Sequence, residues 1–202
     1  MKQLLILQVN QTYSLNIITE LEDDDYIMNL YNTIFMIYLH NQTEADLVMR
    51  SFVGYDLYYF AEHIQQCIDN QLPILQNLEQ SIDLGLLWNE HWQKIAIAEN
   101  AGNPLSSWKW TEGNTLFLQC NSNGDRSNNT FLYNDDNGNI ILQIASAYPW
   151  FFKEASSPDL DISYDDWLPQ YKILYKTVVP KDVAQRWVKD LHGLYAMLEL
   201  NT

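Results

Sequence analysis

Basic residues are scarce in this chain. Its 202 residues include 11 lysines and arginines against 26 aspartates and glutamates, which gives a net charge of -15 at neutral pH. Arg50 is the one basic residue between Lys2 and Lys94. A field of this sign repels nucleic acid and anionic membranes, and it attracts basic partners over long distances. The charge therefore argues against a nucleic-acid-binding or membrane-binding protein and predicts a basic protein as the partner.

Cysteine is also rare, and the motifs of common enzyme classes are missing. Cys67 and Cys120 are the only cysteines, and they are not spaced as a CxxC pair. Neither a disulfide framework nor a structural zinc site is expected, and a reducing cytoplasmic compartment is predicted. The chain contains no GxGxxG, GxxxxGKS/T, GxSxG or HExxH motif. Nucleotide-dependent chemistry is therefore not expected, and no cofactor or metal is predicted.

Long apolar runs, glycine and proline are sparse as well. No stretch reaches the roughly 20 apolar residues that a membrane-spanning helix requires. The apolar run at residues 4–9 is followed by polar residues without a small-residue cleavage pattern, so it predicts a first strand rather than a signal peptide. With 7 glycines, 6 prolines and 47% hydrophobic residues, the composition favours a folded chain with a sizeable core. A single domain spanning residues 1–202 is predicted.

The first part of the chain alternates between short apolar segments and polar breaks. Strands are predicted at residues 4–9, 13–20, 33–39 and 46–53, with a helical turn as the alternative for the last of them. Residues 55–69 repeat apolar side chains at steps of three and four, which predicts an amphipathic helix. Residues 82–98 are ambiguous, because 82–87 fit a strand and 88–98 fit a helix, although Lys94–Ala98 also alternates like a strand.

Strand patterns dominate the second part of the chain until its last segment. Strands are predicted at residues 115–120, 129–134, 139–146 and 171–178. Asp135-Asp136-Asn137-Gly138 is a hairpin signal, because Asn-Gly readily supplies positive φ angles. A short helix is predicted from Ser163, interrupted or bent by Pro169, and a long amphipathic helix is predicted at 180–199. This order predicts an α+β fold, in which a mostly antiparallel sheet packs against two main amphipathic helices, 55–69 and 180–199.

The residues suited to catalysis or metal binding form no complete site in the sequence. His63 and Cys67 lie one helical turn apart, with Glu62 beside them, which suits two metal ligands. Further ligands are missing and Cys67 falls on the apolar stripe, so core packing is the preferred interpretation. Cys120 has no identifiable base and is not predicted to be a nucleophile. Carboxylate pairs beside tryptophans leave an enzyme on small polar or sugar substrates as an alternative.

Two acidic clusters are the preferred candidates for partner binding. Exposed carboxylates would steer a basic protein, and aromatic residues such as Tyr26, Trp88 and Trp150 would anchor it. The competing interpretation is a solvated loop or, for Asp165 and Asp166, the first turn of a helix, where the helix dipole favours acids. The predicted partner-binding residues are Glu22, Asp23, Asp24, Asp25, Tyr26, Asp159, Asp161, Asp165 and Asp166.

Several segments of the chain resemble one loosely defined family. They are the helix DLYYFAEHIQQCI, the hairpin NTFLYNDDNGNIILQIAS followed by YPWFF, and the closing segment SYDDWLPQYKILYKTVVPKDVAQRWVKDLHGLYAMLEL. Together they resemble bacterial immunity proteins of polymorphic toxin systems, including contact-dependent inhibition and type VI secretion. The resemblance implies a cytoplasmic protein without enzymatic activity that binds a cognate toxin and blocks its active site. A general protein-interaction adaptor, in which charge mainly maintains solubility, is the alternative.

Overall fold

The computed structural model describes residues 2–19, 35–41, 45–51, 55–73, 83–100, 116–120, 127–148 and 162–200. Every structural statement below concerns these ranges. Of the predicted partner-binding residues, Asp165 and Asp166 lie within them. The others lie outside the described residues, namely Glu22, Asp23, Asp24, Asp25, Tyr26, Asp159 and Asp161.

The first half of the chain forms a four-stranded antiparallel sheet. Its strands are β1 (Lys2–Gln8), β2 (Ser14–Thr19), β3 (Phe35–His40) and β4 (Ala45–Ser51), and they are neighbours in that order. The side chain of Asn10 makes the turn between β1 and β2, because its Oδ1 accepts hydrogen bonds from the backbone N–H groups of Thr12 and Tyr13, at 2.9 and 3.0 Å. The four strands predicted in this half are confirmed.

A second four-stranded antiparallel sheet follows later in the chain. Its strands are β5 (Leu116–Cys120), β6 (Ser127–Asn134), β7 (Ile140–Ala147) and β8 (Ile173–Val179), again adjacent in chain order. The predicted hairpin joins β6 to β7. Gly138 alone supplies the positive φ in this turn, at 76°, while the Asp135 carboxylate accepts the backbone N–H groups of Asn137 and Asn139.

The helices are α1 (Tyr55–Ile68), α2 (Leu84–Asn100), α3 (Tyr164–Trp167) and α4 (Lys181–Glu199). The helices predicted at 55–69 and 180–199 are confirmed, and a 3-10 turn that contains Pro169 follows α3 as expected. The alternative strand at 82–87 is wrong. Asp83 instead caps α2, because its Oδ1 accepts the backbone N–H of Gly85 at 3.0 Å and so satisfies a free donor of the first helical turn.

The α+β class is confirmed, although the strands are divided between two sheets instead of one. A hydrophobic cluster joins α1 and α4 to residues of both sheets, including Ile17, Ile37 and Leu142. The opposite face of the second sheet packs on α2, where Leu84 and Trp88 meet Phe131 and Tyr133. Because both of its faces are covered, β7 is buried at every position except Ser146. This double burial explains the nearly continuous apolar run of that strand.

Asn129, on β6, is a polar residue in this buried sheet without a hydrogen-bond partner. Its side chain is 0% exposed, and neither its amide nitrogen nor its oxygen is hydrogen-bonded. A buried amide in this state costs about 1–3 kcal/mol. We therefore expect Asn129→Leu, which keeps the branched shape of the side chain, to raise the free energy of unfolding by about 1–2 kcal/mol in urea denaturation.

Asn134, on the same strand, provides the matched control. It is equally buried, but its Nδ2 donates to the Cys67 carbonyl at 2.8 Å and its Oδ1 accepts the Leu72 N–H at 3.2 Å. Asn134→Leu should therefore destabilise the protein, since it leaves the buried Leu72 N–H without an acceptor and removes one of the two donors to the Cys67 carbonyl, which also accepts the Asn70 N–H at 3.1 Å. A loss of stability in both variants would contradict the prediction for Asn129.

Candidate functional site: a tyrosine patch on α1 and α4

The surface formed by α1 and α4 carries a group of aromatic side chains. The two helices pack against each other, and Tyr58 of α1 lies beside Tyr195 and His192 of α4, with ring centroids 5.5 and 6.0 Å apart. Tyr59 stands edge-on to Tyr58 at 6.0 Å. We call Tyr58, Tyr59, His192 and Tyr195 the tyrosine patch.

The apolar stripes of the two helices hold this patch in place. On α1 the residues that repeat at steps of three and four, such as Phe60 and Ile64, are buried in the core. Tyr58 and Tyr59 lie off that stripe and are 38% and 64% exposed. On α4 the buried stripe includes Leu191 and Leu194, which turns His192 and Tyr195 toward α1.

A carboxylate borders the tyrosine patch. Glu62 lies one helical turn after Tyr58, on the same side of α1, and its Oε1 is 4.0 Å from Nε2 of His192. Its side chain is 43% exposed, so the charge remains in contact with solvent. The basic residues of α4 (Lys181, Arg186 and Lys189) all precede His192 in the helix, and Arg186 pairs with Asp182 at 2.8 Å.

The predicted acidic residues that are described have a structural role of their own. Asp165 and Asp166 are exposed in the single turn of α3. The Asp166 N–H donates to Ser163 Oγ at 3.1 Å, and that hydroxyl donates to Asp166 Oδ2 at 2.7 Å. This reciprocal cap involves Asp166, and both acids lie in the first turn of the helix, in agreement with the competing interpretation. Partner binding by the acidic clusters stays a prediction.

Three tryptophans whose side chains are described are core residues. Trp88 is buried against the second sheet, which corrects its assignment as a surface anchor. Trp167 and Trp187 are buried as well. An indole enclosed on all sides offers no ring face to a ligand, so these three residues do not form an exposed sugar platform.

His63 and Cys67, which suggested two metal ligands, are explained by packing as well. Cys67 is buried in the core as predicted, and burial raises the pKa of its thiol to about 12. Burial lowers the pKa of His63 to about 4. At neutral pH both groups are therefore uncharged, and the thiol is not activated as a nucleophile or ligand. Across the described ranges, no group of three or more His, Cys, Asp or Glu residues is placed to hold a metal ion.

A buried polar network lies between α2, β7 and the segment before β8. The Asp83 carboxylate accepts hydrogen bonds from the Tyr171 hydroxyl at 2.5 Å and from Gln143 Nε2 at 2.7 Å. Asn89 accepts the Tyr148 N–H at 2.7 Å and donates to the Ser146 carbonyl at 3.1 Å. The donors and acceptors in this network are matched to one another, so its role is to fix α2 on the sheet.

Tyrosines in and beside this network keep their protons to high pH. Burial, the hydrogen bond to Asp83 and the Asp83 charge, in that order, raise the pKa of Tyr171 far above its usual range. Burial followed by the charges of Asp83 and Asp135 raises the pKa of Tyr133 in the same direction. Both phenols are therefore neutral donors at physiological pH, which suits structural hydrogen bonds rather than proton transfer.

The tyrosine patch was not among the predicted sites, although the sequence contained a signal for it. Tyr58 and Tyr59 are consecutive aromatic residues outside the apolar stripe of a predicted helix, and such residues are expected at binding surfaces. Their neighbours on α4 could not be identified, since the pairing of the two helices depends on tertiary packing.

The fold and the patch define an acidic α+β protein with two antiparallel sheets and an exposed aromatic surface on a helix pair. None of the helices in the described ranges is long and apolar enough to cross a membrane. Comparison of the chain with protein-family models, curated proteins and solved structures finds no match.

Proposed function

We propose that this chain is a non-enzymatic, cytoplasmic inhibitor that binds and neutralises a basic toxin protein, as bacterial immunity proteins do. The observation that carries the proposal is the exposed tyrosine patch, bordered by Glu62, on a protein with a net charge of -15. Tyrosine is among the residues that dominate binding energy at protein interfaces. Tyr195 also packs against the core, whereas Tyr59 is 64% exposed, contributes little burial to folding and suits a binding surface.

Charge and aromatic contacts would contribute at different stages of binding. The long-range field of an acidic protein accelerates encounter with a basic partner, and this effect weakens as salt is added. The aromatic side chains act only at contact, where they bury large areas at a low entropic cost. A basic toxin would therefore associate fast at low salt, and its residence time would depend on the patch.

The proposal is tested by capture followed by neutralisation. The tagged chain is used to capture proteins from a bacterial lysate at low salt, and those released by high salt are identified. Each candidate is then expressed alone and together with the chain. We expect a basic protein that stops growth when expressed alone and is harmless when co-expressed. If every captured protein is acidic, or if co-expression rescues no toxicity, the proposal is wrong.

Substitutions then locate the binding surface. Tyr59→Ala should weaken binding of the purified toxin by roughly tenfold, because tyrosine is enriched among the interface residues whose truncation costs more than 1 kcal/mol. Val178→Ala is the matched control, since Val178 is also an exposed apolar residue but lies on β8. Reversal of charge at Asp23, Asp24 and Asp25 tests the predicted acidic surface in the same assay. Unchanged affinity in the Tyr59 variant would exclude the patch from the interface.

A further inference from the structure

We infer that the tyrosine patch recognises an arginine side chain of the partner protein. This inference rests on the proposed function, and it specifies the chemistry of the same surface. Tyr58 offers a partly exposed ring, Tyr59 stands edge-on to it, and the Glu62 carboxylate lies one turn farther along α1. A planar cation can stack on such a ring while it donates hydrogen bonds to a carboxylate at its edge.

Arginine fits this arrangement better than lysine does. The guanidinium group is planar and weakly hydrated, and it carries donors that match a carboxylate in two parallel hydrogen bonds. Lysine carries a compact, strongly hydrated charge that cannot stack in this way. The combination of ring face and carboxylate therefore favours the side chain that uses both.

Other occupants of the patch are disfavoured by charge and solvation. An apolar segment would remove the Glu62 carboxylate from water without giving it a partner, which is costly. An acidic segment would be repelled by the same carboxylate and by the net charge of the chain. A second copy of this chain carries the same -15 charge, so self-association would work against that repulsion.

The inference is tested with peptides and the intact, isotope-labelled protein. The probe is the blocked peptide acetyl-Gly-Arg-Gly-Arg-Gly-amide, compared with the same peptide carrying lysine or neutral citrulline in place of arginine. Binding is followed by NMR chemical-shift changes of backbone amides. We expect shifts centred on Tyr58, Tyr59, Glu62 and His192, with the arginine peptide binding more tightly than the lysine peptide and the citrulline peptide most weakly.

Two variants separate this site from other acidic surfaces. Glu62→Gln and Tyr59→Ala should each weaken binding of the arginine peptide by about two- to fivefold, the size expected for an exposed ion pair or cation–π contact. Asp166→Asn should leave it unchanged. The inference is overturned if lysine binds as well as arginine, if the shifts centre on α3, or if Glu62→Gln and Tyr59→Ala have no effect.

Failure of this inference and failure of the proposed function give different results. If the peptide does not bind but the chain still neutralises a basic toxin, the arginine inference fails alone. If the peptide binds at the patch but no basic toxin is neutralised, the proposed function fails while the surface chemistry stands.

Discussion

Replacement of Trp187 by alanine is expected to lower the free energy of unfolding by about 3–5 kcal/mol, the usual cost of truncating a large buried aromatic residue. Trp187 is 2% exposed and lies in the cluster that joins α4 to both sheets. Its indole Nε1 donates to the Gln8 carbonyl at 2.9 Å, which fixes α4 against the end of β1. Because α4 also carries His192 and Tyr195, loss of this anchor should disturb the tyrosine patch as well.

Urea denaturation monitored by circular dichroism measures this loss of stability. Two control variants show how much of it comes from the buried indole. Trp187→Phe keeps much of the buried area and removes the indole donor, so it should cost about 1–2 kcal/mol. Lys189→Ala, at an exposed position of the same helix, should change stability by less than about 0.5 kcal/mol. A Trp187→Ala variant no less stable than Lys189→Ala would contradict the described packing of α4.

Elements with strong periodicity were predictable from the sequence because their pattern is local. The apolar stripe that the sequence predicts for the last helix consists of Val183, Trp187, Val188, Leu191, Leu194, Tyr195 and Leu198. The structure buries Trp187, Leu191, Leu194 and Leu198, and it leaves the other three partly buried. The Asp135–Gly138 hairpin was predictable for the same reason, since the turn residues themselves supply the required φ angle and hydrogen bonds.

The start of α2 was not predictable in this way. The segment Ile-Asp-Leu-Gly-Leu-Leu at 82–87 has strand-like composition, yet its described part belongs to a helix because of contacts made far away in the chain. A Cβ atom at Gly85 would lie 2.5 Å from the Tyr171 hydroxyl and 2.6 Å from the Ala145 Cβ. Glycine therefore lets α2 approach β7 closely, and no local pattern contains that information.

The division into two sheets and the location of the tyrosine patch have the same explanation. Hairpin signals indicate which strands are neighbours, but they do not tell where one sheet ends and the next begins. Likewise, charge counting identified acidic residues along the sequence, whereas the patch depends on the contact of Tyr58 with His192 and Tyr195. Both features arise from the packing of elements that are distant in sequence.

Replacement of Asp83 by alanine is the second change with a large expected effect, a loss of about 2–4 kcal/mol in the free energy of unfolding. The variant loses the cap of α2 and leaves the buried Gln143 amide without its acceptor. It also removes the acceptor of the Tyr171 hydroxyl. Asp83→Asn is the matched control, because it retains an acceptor oxygen and the shape of the side chain, and it should cost less than the alanine variant.

The pH dependence of stability shows what the negative charge of Asp83 contributes in addition to its hydrogen bonds. Tyr171 has a raised pKa in the folded protein, so the unfolded chain releases this proton first as the pH rises above about 10. Stability is therefore lost as the solution becomes alkaline, by at most about 1.4 kcal/mol per pH unit for this group and less because Tyr171 is partly exposed. Tyr133 contributes a loss of the same sign.

Asp83→Asn should narrow the pH range over which this stability is lost without abolishing the loss. The substitution removes the negative charge that raises the pKa of both tyrosines, whereas their burial, the larger cause, remains. Tyrosinate absorbance should appear at lower pH in the variant while the protein is still folded, and chemical denaturation at several alkaline pH values should show the loss of stability levelling off at lower pH. If the titration of tyrosinate absorbance is the same in Asp83→Asn and the unmodified protein, Asp83 does not act on Tyr171 and Tyr133. In that case the stability lost in Asp83→Ala would come from the helix cap and Gln143 alone.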